Sequence, residues 1–61
     1  MNAKQLQIVQ AFTTREASYC ADTTFSVRTV GKKVALYVMR DRGCDMISIG
    51  PRGSSLTKKL Y

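Results

Sequence analysis

Histidine and tryptophan are absent from this sequence, proline occurs once, and only four of its 61 residues are acidic. Without His there is no imidazole to act as a general base or to bind a metal. The two cysteines, Cys20 and Cys44, stand alone, whereas zinc needs about four ligands at paired spacing. No metal and no cofactor is expected. No apolar run approaches the ~18 residues of a spanning helix, so no membrane association is expected. Met1 to Phe12 holds no apolar core of an export signal. The expectation is a cytoplasmic protein in which Cys20 and Cys44 are reduced thiols. Ser54 and Ser55 have no base to activate them. The Gly50-Pro51-Arg52-Gly53-Ser54-Ser55 segment lacks the Lys-Ser/Thr ending of a phosphate-cradling P-loop. The chain therefore does not read as an enzyme.

What is present is positive charge on a foldable background. Ten Lys and Arg against four acids give a formal charge of +6. The 44% hydrophobic content argues against a disordered polycation. A chain of this length forms one domain, 1–61, burying roughly 60% of its unfolded surface.

All four glycines and the proline follow Val30. The first third lacks turn punctuation and reads as helical. Asn2 with Gln5 forms a capping-box pattern, and Leu6, Val9 and Phe12, with Ile8, make an apolar stripe at helical spacing. Gln5 to Phe12 also has partial strand alternation, which Val9 breaks. Thr13 with Glu16 is a second capping-box pattern, opening Thr14 to about Ala21. Either a short helix pair or one bent helix results.

From Thr24 the period changes to two. Gly31-Lys32 suits a type II′ hairpin turn. That turn pairs Val30 with Lys33, Thr29 with Val34, Val27 with Leu36 and Phe25 with Val38. A second hairpin turning at Arg42-Gly43 pairs Asp41 with Cys44 and Arg40 with Asp45, and sets Val38 against Ile47 and Leu36 against Ile49. In that register the apolar face runs unbroken across three strands. Gly50-Pro51-Arg52-Gly53 is a further turn. Ser54 to Tyr61 fits a helix or a strand. The fold expected is α+β: an N-terminal helical segment packed on one face of a small three- to four-stranded antiparallel meander. Phe25, Val27, Val34, Leu36, Val38, Ile47 and Ile49 would form the covered face.

The other sheet face carries Tyr37, Met39 and Met46 with Arg28 and Lys33. Tyr37 could stack on a base while Arg28 and Lys33 hold phosphates. Alternatively, Tyr37, Met39 and Met46 form a small cluster under the C-terminal segment, or a protein-binding face. An up-and-down meander brings the Lys32-Lys33 hairpin tip and the Arg52 turn to one end, with no acid near them. Such lopsided charge suits a polyanion. The expected partner is nucleic acid or an acidic protein surface. The leading reading is a non-enzymatic nucleic-acid-binding or regulatory module that contacts phosphates through Lys32, Lys33 and Arg52, with Arg28 and Tyr37. The alternative is a modulator or inhibitor of a larger host protein, of the kind that phages and mobile elements encode.

Overall fold

The computed structural model of the chain describes residues 1–19 and 21–61. Cys20 lies outside the described residues. The elements run α1 (Ala3–Tyr19), β1 (Thr24–Val30), β2 (Lys33–Arg40), β3 (Gly43–Ile49) and β4 (Ser55–Lys59). The strands form one antiparallel sheet in sequence order, β1-β2-β3-β4. The fold is thus the α+β meander expected, with four strands.

The capping box at the start of α1 forms as its pattern predicts. The Asn2 side-chain oxygen accepts from the Gln5 amide at 2.9 Å, and the Gln5 side-chain oxygen accepts from the Asn2 amide at 3.0 Å. The second capping-box pattern is not used. Thr13 Oγ1 donates back to the Gln10 carbonyl at 3.1 Å, and the helix continues as one element through it. Glu16 instead points its carboxylate at Arg40 of β2.

α1 covers the centre of the sheet. Val9 packs with Val34, Leu36, Val38, Ile47 and Ile49, while Ile8, Phe12 and Phe25 close the margins. Burying each large side chain of this set contributes about 1.5–3 kcal/mol. Two members of the expected apolar faces are not covered. Leu6 is 45% exposed and Val27 is 44% exposed. Gln5 takes the buried place that the Leu6 stripe was expected to fill. A helix is narrower than a four-stranded sheet. Centred on β2 and β3, it leaves β1 exposed or half-buried along its length.

The first hairpin has the expected register, and Gly31 sits at φ +61°, as a type II′ turn requires. The second hairpin differs. Its loop is Asp41-Arg42, not Arg42-Gly43, with Arg40 opposite Gly43, Val38 opposite Asp45, Leu36 opposite Ile47 and Val34 opposite Ile49. The slip is two residues, so Ile47 and Ile49 stay on the covered face. Neither Asp41 nor Arg42 has positive φ, so the turn is not a primed one and Arg42 avoids the strain of a left-handed conformation. Gly43 serves another purpose: a Cβ there would stand 2.6 Å from the Tyr61 carbonyl oxygen. That carbonyl accepts from the Cys44 amide at 2.9 Å and ties the tail to β3.

Ser55–Lys59 is a strand, which resolves the helix-or-strand choice for the tail. A helix there would have left the outer edge of β3 unpaired. Instead Ile49 pairs with Ser55, and the ladder runs on to Asp45 opposite Lys59. The preceding loop closes with the Gly53 amide on the Gly50 carbonyl, and Gly53 sits at φ +93°.

Candidate nucleic-acid interface

Topology sorts the charges along the long axis of the domain. The β1–β2 turn, the β3–β4 loop and the start of α1 all lie at one end. Side-chain hydrogen bonds fasten them together there. The Gln5 Nε2 donates to the Lys32 carbonyl at 2.8 Å and to the Ile49 carbonyl at 3.2 Å. Asn2 Nδ2 donates to the Pro51 carbonyl at 2.9 Å. The structure therefore brings together Lys32, Lys33 and Arg52, as their turns predict, and adds Lys4 from the helix. All four side chains are exposed. Lys4 approaches the β3–β4 loop closely enough that a Cβ on Gly53 would meet its Cδ at 3.7 Å. Between the turns lies a shallow depression lined by Asn2, Gln5, Thr29, Lys32, Lys33 and Pro51.

All four acids lie at the opposite end. Glu16 is near the end of α1, Asp22 precedes β1, Asp41 is in the β2–β3 turn and Asp45 is at the start of β3. Two of them are consumed by one cation. Arg40 reaches Glu16 at 2.9 Å and Asp45 at 2.9 Å. Its hydrogen bonds to Glu16 and then to Asp45 raise the Arg40 pKa above the ordinary guanidinium range. Sequence pairing had placed Arg40 directly opposite Asp45. The slipped register makes the contact diagonal, which long side chains still span. Among the described residues no other Lys or Arg lies within 4 Å of a carboxylate. Nine of ten cations thus have no carboxylate partner, Arg15 stacking instead over the Phe12 ring at 4.9 Å, against two unpaired acids, Asp22 and Asp41.

The face of the sheet away from α1 is open. Across it run two adjacent rows, Arg28-Ala35-Ser48-Leu56 and Ser26-Tyr37-Met46-Lys58. Beyond them lies Thr24-Met39-Cys44. Because the tail joins the sheet edge as β4, it does not lie over Tyr37, Met39 and Met46, and the expected cluster beneath it does not form. Those three side chains are half-buried by their strand neighbours, and Leu56 is 73% exposed. Lys33 has the parity of this face, and Lys33, Arg28 and Lys58 are its only charges. The face therefore holds no acid. It also adjoins the acid-free end through Lys33.

Sequence reasoning missed Lys4 and Lys58 as members of this surface. Lys4 was legible only once Gln5 to Phe12 was known to be helix, and Lys58 only once the tail was known to be strand. Cys44 is a free thiol, 6% exposed. Among the described residues no three Cys, Asp or Glu side chains converge to where they could hold a metal ion. No described helix is long and apolar enough to cross a membrane.

No protein-family model matches the chain, and no curated protein or solved structure matches it either.

Proposed function

We propose that this chain is a non-enzymatic nucleic-acid-binding module. Lys4, Lys32, Lys33 and Arg52 contact phosphates at one end of the sheet. Arg28, Lys58 and Tyr37 extend the contact over the open face. The observation that carries this reading is the segregation of charge. Every acid lies at the far end, so a polyanion meets only attraction at the near end and on the open face. Tyr37 supplies a ring on which an unpaired base can stack, a sequence-tolerant contact worth about 1–3 kcal/mol. Phosphate contacts set affinity and position but read no sequence. Binding to single strands with little base preference follows. A cytoplasmic location belongs to the same reading, since the buried Cys44 thiol suits a reducing compartment.

The direct test is fluorescence anisotropy with labelled single- and double-stranded oligonucleotides at low and physiological salt. Reversal of Lys32 and Lys33 to Glu weakens binding to both forms alike. Tyr37→Ala weakens binding to the single strand alone. A second reading has its own support, in the open-face set of Met39, Met46 and exposed Leu56. Flexible thioethers adapt to a protein partner. An acidic protein surface bound there would be sensitive to Met39→Ala and Met46→Ala but little affected by reversal at the turn end.

A further inference from the structure

We propose that β1 pairs antiparallel with β1 of a second copy of this chain, with Val27 on the two-fold axis, to give one continuous eight-stranded sheet. The inference is independent of the nucleic-acid reading and rests on the edge that the sheet order leaves open.

The two edges of the sheet are β1 and β4. Natural edge strands are blunted by shortness, proline, bulges or lysines, because their free amides and carbonyls template pairing with another chain. β4 has five residues and carries Lys58 and Lys59. β1 has seven residues, no Pro or Gly, one charge, and an unbroken seven-pair register with β2. Of the two edges, β1 is the one without protection. A two-residue turn makes its flanking pair, Val30 and Lys33, a hydrogen-bonded one, and such pairs alternate along the ladder. Val30, Arg28, Ser26 and Thr24 therefore bond to β2. The amides and carbonyls of Phe25, Val27 and Thr29 point outward.

Those outward groups match a second β1 run antiparallel. Val27 exchanges both bonds with Val27 of the second copy, and Phe25 does so with Thr29, twice. Val27 is the central residue of the strand. Its side chain lies on the helix side yet is 44% exposed, and the pairing sets the two valines against each other. On the open face Ser26 meets Arg28, so no like charges stand opposite. Sliding the register by two toward the hairpin would place Arg28 against Arg28. In the chosen register the turn that holds Asp22, just before β1, comes beside the β1–β2 turn of the second copy, which holds Lys32, and the reverse. The acidic end of each copy thus flanks the basic end of the other, which favours the antiparallel arrangement. The closed symmetry uses both free β1 edges and leaves the lysine-bearing β4 edges outermost.

The test is the solution mass of the nuclease-treated full chain by sedimentation, from micromolar to sub-millimolar concentration. The expected mass rises to two chains, twice 6.8 kDa. Val27→Pro removes an amide that has no partner within the chain, on an edge strand where proline is tolerated. This variant keeps its circular dichroism and associates roughly 10–100-fold more weakly, two intermolecular bonds being lost. Val27→Lys, which sets two cations together at the axis, gives the same result by another route. Asp22→Lys weakens association, and Asp22→Lys with Lys32→Asp restores it. A mass of one chain at every concentration overturns the proposal. So does a dimer indifferent to both Val27 changes, or growth beyond two chains, which would mean open-ended pairing of β1 with β4.

Discussion

Gln5→Leu removes the one buried polar side chain among the described residues, which joins α1 to the β1–β2 turn and to the end of β3. Gln5 is 2% exposed and makes three side-chain hydrogen bonds: to the Lys32 carbonyl, the Ile49 carbonyl and the Asn2 amide. Leucine is close in volume, so packing is nearly conserved and the loss is polar. Each net bond contributes about 1 kcal/mol, and a buried group left unpaired costs about 1–3 kcal/mol. The Ile49 carbonyl is the buried partner; its hydrogen-bonded pairing with Val34 in the β2–β3 ladder remains, so it loses one of two bonds rather than all pairing. The Asn2 amide and Lys32 carbonyl are part-buried and recover some hydration. A net loss of about 2–3 kcal/mol follows, or roughly 10–20 °C in Tm for a domain of this size. Thermal unfolding followed by circular dichroism reads it. Asn2→Ala, which removes the cap, costs about 1 kcal/mol. Because Asn2 and Gln5 hold each other, the double variant should lose less than the sum of the two. A Gln5→Leu protein melting within a few degrees of the parent would refute the clamp, and with it the claim that Lys32 and Arg52 are held in fixed relation.

Other outcomes follow from the same geometry. Leu36 is fully buried, so Leu36→Ala should cost about 2–5 kcal/mol and leave the domain largely unfolded at 37 °C, as denaturant titration would show. Arg40→Gln abandons Glu16 and Asp45. It should lower stability by about 1 kcal/mol, less in high salt. The Arg40 pKa is raised in the folded state, so its contribution is fully present below the ordinary guanidinium range and is lost as pH rises through the still higher folded value. Stability from this group should be flat across neutral pH. Cys44, buried, should react with a thiol reagent far more slowly in the native protein than in denaturant, where unreduced protein should take up two labels. A mass two hydrogens low would show a disulfide instead.

Alternation along Phe25–Val38 and Cys44–Ile49 revealed which face each strand buries, because side chains repeat every two residues. The same period hid the slip at Asp41-Arg42. Registers two residues apart bury the same set, and only the turn distinguishes them. The register that kept the apolar face unbroken put Gly43 in the turn, whereas its lack of a Cβ serves the close approach of Tyr61. Periodicity names a face but not how much of it a single helix covers, so Val27 and Leu6 were placed inside. Gln5 is legible as the capping-box partner of Asn2 but not as a buried clamp, because a polar residue on a buried stripe makes sense only when its partners, the Lys32 and Ile49 carbonyls, are known. At the interface, Lys32, Lys33 and Arg52 could be grouped from turn order alone. Lys4 and Lys58 depended on the two segments whose conformation the sequence left open.

The salt dependence of oligonucleotide binding tests the central claim most directly. Four phosphate contacts from Lys4, Lys32, Lys33 and Arg52 give a log–log slope of about −3.6 on duplex DNA, at roughly −0.9 per contact. Reversing Lys32 and Lys33 to Glu removes two contacts and should reduce the slope to about −1.8, with affinity lowered for every sequence alike. A slope unchanged by that reversal would place the binding elsewhere on the molecule. No binding to single- or double-stranded oligonucleotides, even at low salt, would contradict the claim outright.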